Sequence, residues 1–121
     1  MEKQRLVFVS RDELLRIDVS KIVYFEADGN YTSIMTINKI KGYVKLNLGQ
    51  MEKALAEQLK EKASTFMRIG KRFVVNRSFI YKINIPKQQL ILSDFDHFAF
   101  QVPISKEALR ELKDVILKSK F

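Results

Sequence analysis

Two stretches of the sequence carry cations and no acids. Lys39, Lys41 and Lys45 stand between Gly29 and Met51. Lys62, Arg68, Lys71, Arg72, Arg77, Lys82 and Lys87 stand between Lys62 and Ser93, and neither window contains Asp or Glu. Side chains of these types neutralise phosphates, releasing condensed counterions, and donate hydrogen bonds to base edges. The acids collect elsewhere, at Asp12–Asp28, along the segment after Leu48, at Asp94 and Asp96, and near the C-terminus. Solubility alone is better served by interspersed charge, so this segregation points to a surface facing a polyanion. The whole chain agrees: 22 Lys and Arg against 14 Asp and Glu give a formal charge of +8 over 121 residues.

Other chemistries lack their residues. There is no Cys, hence no disulfide framework, thiolate nucleophile or Cys-based zinc site. A single His, His97, argues against a His-rich metal centre or a Ser-His-Asp triad. Phosphate-binding Gly-rich loops, HExxH and EF-hand patterns are missing. No enzyme activity, metal or cofactor is expected. No apolar run approaches the ~18 residues of a membrane span or the ~7–15 of a secretory signal core. The chain is therefore expected in the cytoplasm, without membrane insertion.

The elements that must position these cations are mostly short strands. A length of 121 residues with 46% hydrophobic composition suits a single domain spanning 1–121. Strand-like runs are Arg5–Val9, Leu14–Ile17, Ile22–Ala27, Tyr31–Ile37, Gly42–Leu46, Phe73–Val75, Phe79–Ile85, Gln89–Ser93 and Phe98–Val102, separated by turn chemistry. Leu48, Met51, Leu55 and Leu59 instead recur with helical spacing. Asn47 and Gln50 form a capping-box pattern, so a helix is predicted over about 48–62, covering one face of a sheet. A second helix is predicted over about 105–119. Ser105 is its N-cap, Leu109, Leu112 and Ile116 its buried stripe, and Lys118 and Lys120 lie at its negative end. The helices are far apart in sequence, so a helix-turn-helix is not expected. DNA would be met by loops, strands or the first turn of the last helix.

Three runs carry a family resemblance. IVYFEADGNYTSIMT (Ile22–Thr36), FMRIGKRFVVNRSFI (Phe66–Ile80) and FQVPISKEAL (Phe100–Leu109) stand in the order and spacing of the signatures of the LytTR DNA-binding domain. The similarity runs from about Val7 to Leu117. It implies a mainly β fold, an elongated arrangement of short antiparallel sheets. It also implies sequence-specific binding of double-stranded promoter DNA by a bacterial transcriptional regulator, with loops entering successive major grooves. A phosphoacceptor receiver or a sensor region often precedes such a domain in longer regulators, and repeated sites would favour a second copy on DNA. The loop positions carry over to Asn30, Tyr31 and Thr32, to Lys71 and Arg72, and to Ser105 and Lys106. Lys106 stands where the family usually has Arg. It can reach guanine O6 or N7 but lacks the planar fork.

Each position also has a plainer reading. Lys106 occupies a first helical turn, where the dipole disfavours a cation, so an external anion explains it best. Gly70 frees the backbone for a loop projecting Lys71 and Arg72, and at least one of them is expected to touch DNA. Lys87 sits in the Pro86-Lys87-Gln88 turn of the second basic window. Asn30 either contacts DNA or fills a left-handed turn position. Tyr31 reads as a packing residue with a wet hydroxyl more readily than as a contact, and Thr32 is open. Arg68 is either a salt bridge beside the core or a phosphate contact. Asn76 is expected to bond local backbone, His97 to sit in a turn, and Phe98 and Phe100 to lie in the core. The alternative function is a β-rich module binding single-stranded RNA or DNA, which would need aromatics exposed on a strand face. A protein-interaction domain with an incidentally basic surface is the third reading.

Overall fold

The computed structural model describes residues 4–119. Ten strands and two helices follow in order: β1 (Arg5–Val9), β2 (Leu14–Asp18), β3 (Ile22–Asp28), β4 (Tyr31–Thr36), β5 (Lys41–Val44), α1 (Leu48–Leu59), β6 (Phe66–Ile69), β7 (Phe73–Asn76), β8 (Ile80–Asn84), β9 (Gln89–Ser93), β10 (Ala99–Pro103) and α2 (Lys106–Ser119). They form three antiparallel sheets: the hairpin β1-β2, a five-stranded sheet in the order β5-β4-β3-β7-β6, and a three-stranded sheet in the order β10-β9-β8. This is the mainly β arrangement expected from the sequence.

The five-stranded sheet is covered on both faces, which explains why Ile22–Phe25 of β3 and Phe73–Val75 of β7 are unbroken apolar runs rather than alternating. Phe25, Ile34 and Val74 face α1 and the β1-β2 hairpin, packing with Leu6, Met51, Leu55 and Phe66. Tyr24, Met35, Phe73 and Val75 face the three-stranded sheet and α2, packing with Leu90, Leu92, Phe98, Val102 and Leu109. At the register shift between Ile22 and Tyr24 the alternation breaks, so that Val23 and Tyr24 join one core while Ile22 and Phe25 join the other. Each such side chain contributes about 1.5–3 kcal/mol by leaving water.

Local chemistry sets the element ends. Asn47 accepts a hydrogen bond from the Gln50 N–H at 2.8 Å, and the Gln50 side chain accepts one from the Asn47 N–H at 2.9 Å. All four stripe residues of α1 are buried. The helix ends at Leu59 rather than near 62. Lys60 turns into positive φ at 55°, and residues Lys60–Thr65 wind more tightly as 3₁₀ turns. The apolar stripe has run out, with Lys62 and Ala63 at its next positions. β5 covers Lys41–Val44 rather than Gly42–Leu46, because the Leu46 N–H bonds back to the Val44 carbonyl at 2.8 Å. β6 was not expected as a strand. Its buried ends, Phe66 and Ile69, flank the less buried Met67 and Arg68, so four residues show no period of two. α2 starts at Lys106, with Ser105 outside it as the cap. Lys120 lies outside the described residues.

Candidate nucleic-acid interface

Four connections meet at one end of the molecule. The β3-β4 turn carries Gly29 and Asn30, with Gly29 at φ 60°. Antiparallel pairing of Glu26 with Phe73 places the β6-β7 turn beside it. The Ala27 N–H donates to the Arg72 carbonyl at 2.9 Å and ties the two together. That second turn holds Gly70 at φ 65°, which an L side chain rarely adopts, followed by the exposed Lys71 and Arg72. Next to it lies the start of α2. An open concavity of about 400 Å³ is lined by residues 70–72 on one side and by Pro103, Ile104 and Ser105 on the other. The fourth connection is the β8-β9 turn with Lys87, held by the Ile104 N–H donating to the Gln88 carbonyl at 3.1 Å. Asn30, Lys71, Arg72, Lys87, Ser105 and Lys106 are thereby exposed along one continuous rim.

Residues 12–117 match the family model of the LytTr DNA-binding domain. The chain belongs to the LytTR family. The family is one of DNA-binding domains rather than enzymes. Among solved structures, the fold is similar to the LytTr DNA-binding domain of a response regulator from Bacillus cereus. That domain is 23% identical, with a TM-score of 0.64 over 95% of this chain and 98% of that one. At that identity the likeness concerns fold. No curated protein matches the chain.

Within this LytTR domain, two of the expected contact residues have polar atoms engaged inside the fold. Thr32 is fully buried, and its hydroxyl donates to the Leu46 carbonyl at 2.8 Å. It faces the core side of β4 and leaves the candidate interface. Arg68 pairs with Glu52 through one guanidinium nitrogen and donates to the Lys71 carbonyl at 2.9 Å through another. It therefore shapes the turn that displays Lys71. Ser105 is the helix cap, accepting from the Ala108 N–H at 3.2 Å. Arg72 pairs with Glu26 at 2.8 Å and lies 5.7 Å from the Phe73 ring centroid, yet its side chain stays 63% exposed. Lys71, Lys87 and Lys106 form no ion pair among the described residues. Tyr31 is 46% exposed.

The concavity itself is no phosphate cradle, because Glu107 and Glu111 line it too. The cations stand at its lips. Lys45 joins them, exposed just beyond β5, whose Val44 pairs with Thr32 at the rim end of β4. Its membership of an acid-free window was the only sequence signal for it.

Asn76, Asp94 and His97 serve local structure. Asn76 is buried, donating to the Ile22 carbonyl at 2.8 Å and accepting from the Ser78 N–H at 3.0 Å, as expected. Asp94 folds its own turn. Its carboxylate accepts from the N–H groups of Asp96, His97 and Phe98, and its other oxygen lies 2.9 Å from His97 Nδ1. Desolvation pushes its pKa up, but these hydrogen bonds win and hold it well below the usual carboxylate range. The hydrogen bond that His97 donates to Asp94, with the nearby charges of Asp96 and Asp94, raises His97. Among the described residues no group of acids and His could hold a metal ion. Phe98 is buried and Phe100 packs partly buried against the same core. No helix among the described residues is long and apolar enough to cross a membrane.

Proposed function

We propose that the rim grips double-stranded DNA, sequence-specifically, as the output surface of a bacterial transcriptional regulator. Asn30, Lys71, Arg72, Lys87 and Lys106 meet the duplex, Lys45 adds a phosphate contact, and Ser105 and Arg68 hold the donors in place. The observation that carries this reading is convergence. Residues far apart in sequence reach one end of the fold, joined by the Ala27–Arg72 and Ile104–Gln88 backbone bonds. Turns of this size project side chains without inserting a helix, and the major groove is roughly 12 Å wide. Lys106 in the first turn of α2 adds a cation to an N-terminus whose dipole also attracts anions. A single domain over 1–121, cytoplasmic and able to bind repeated sites as two copies, fits this role. A receiver or sensor region of a longer regulator would be its input.

The test is selection of bound sequences from a random duplex pool, followed by mobility-shift titration of variants. Lys106→Ala should lose about 1–3 kcal/mol on the selected site and much less on random duplex if Lys106 reads a base. Equal losses on both would assign it to phosphate. A pool that never converges on a sequence would remove sequence specificity from the proposal.

One observation favours the single-strand alternative. Tyr43 pairs with Ser33, two residues from Tyr31 on the same face, and both tyrosines are about half exposed near Lys45. Exposed aromatics beside a cation suit base stacking. If that reading holds, an unstructured single strand displaces duplex at equal concentration and Tyr43→Ala removes the advantage. Under the duplex reading, neither happens.

A further inference from the structure

A second concavity, this one basic, lies at the opposite end of the five-stranded sheet. Its volume is about 580 Å³, between the β1-β2 hairpin and the β4-β5 connection. β4 runs from Tyr31 at the rim to Thr36 at this groove, about 17 Å away for five extended steps. Four cations line it: Arg5, Arg16, Lys21 and Lys41. Its one acid, Asp18, is bonded to Arg5 at 2.8 Å. Arg16, Lys21 and Lys41 are exposed and form no ion pair among the described residues. Between the cations the lining is aliphatic, with Leu15, Ile17, Ile37 and Ile40, and Ile40 is 64% exposed at the lip. Gly42 lets the hairpin approach this closely, since a Cβ there would lie 3.1 Å from Leu15 Cδ2.

Cations alternating with aliphatic side chains match neither a lone small anion nor a phosphate backbone, because each would leave the apolar lining in water. They match a chain that alternates carboxylates with apolar side chains. From this charge and hydropathy complementarity we infer that the groove docks an acidic segment of a partner protein carrying aliphatic or aromatic side chains, at the end of the sheet away from the DNA rim. Burial of Ile40 and the neighbouring aliphatics supplies the affinity, and the cations set the preference for acids.

The experiment is selection of binders from a random peptide library on the full chain at physiological salt, then titration of the best peptide into isotope-labelled protein. The expected peptides are net negative with interspersed apolar residues, and amide shifts fall on residues 15–17 and 37–42. The double variant Arg16→Glu, Lys41→Glu should weaken binding by about tenfold or more, while Lys71→Ala leaves it unchanged. Ile40→Ser, at an exposed position, checks the apolar half independently should the double variant fold poorly. Enrichment of neutral or basic peptides, failure of any peptide to enrich, or shifts confined to the rim would overturn the proposal. So would a matching loss of duplex binding in the double variant, which would make the groove a nucleic-acid surface.

Discussion

Arg68 touches Glu52 and the Lys71 carbonyl, so its expected effect on DNA binding is indirect. Arg68→Ala should weaken duplex binding several-fold without changing its salt dependence. Lys71→Ala should flatten the plot of log affinity against log salt by about 0.9, the contribution of one phosphate contact. Titrations at several salt concentrations separate the two roles, and a flattened slope for Arg68→Ala would make Arg68 a direct contact. His97 makes a different prediction. Its folded pKa lies above its unfolded value because of Asp94 and Asp96. The stability from that pairing is full below the ordinary histidine pKa of about 6.5 and is lost as pH rises through the raised folded value. Asp94 acts in the opposite sense. Its folded pKa is depressed, so its contribution is present above the ordinary carboxylate value and lost as pH falls through the lower folded one. Thermal melts of His97→Asn should therefore lose the decline in stability that the unaltered protein shows as pH rises from about 6.5 through the raised folded value. Much of the candidate site was legible at this scale because cations and turn residues announce exposure. The engagement of Thr32 was not, because only the paired strand reveals it, and for Arg68 the sequence offered the salt bridge as one of two readings without naming its partner, Glu52.

At the scale of the element, α1 depends on both its cap and its stripe. Asn47→Ala removes the side-chain acceptor of the Gln50 N–H, leaving the bond from its own N–H to the Gln50 side chain, and should cost about 1 kcal/mol, measured by chemical denaturation. Leu55→Ala leaves a cavity beneath the helix and should cost about 2–5 kcal/mol. A similar loss from both would mean that the stripe packs loosely against the sheet. The stripe was readable because one helix face has one period and one role. The strands were readable where turn residues bracket them, as at Asp28-Gly29-Asn30 and Pro86-Lys87-Gln88. β6 was not, because Arg68 sits mid-strand with its charge directed to a neighbouring helix. The end of α1 was misplaced because Lys60 leaves the helix with no glycine or proline to announce it. Sheet order was also beyond reach. That β7 lies beside β3, across three intervening strands and a helix, depends on tertiary packing of Phe25 and Val74 rather than on any local signal.

Across the whole molecule, the five-stranded sheet separates two kinds of work. Its faces are packed by α1 and the hairpin on one side and by the three-stranded sheet and α2 on the other, leaving its ends to meet partners. The rim end presents Lys45, Lys71, Arg72, Lys87 and Lys106. If all five neutralise phosphates, log affinity should fall with log salt at a slope of about −4.5. Arg72 is already paired with Glu26, so a shallower slope near −3.6, corresponding to four contacts, is expected. Glu26→Gln should free its guanidinium and steepen the slope by up to about 0.9. Lys53, exposed on α1, and Lys118, near the far end of α2, lie off the rim, and their alanine variants should leave the slope unchanged. A slope near zero would mean that the rim cations neutralise no phosphates, and equal flattening by rim and off-rim substitutions would mean that diffuse positive charge, and not the four joined connections, governs attraction to the duplex.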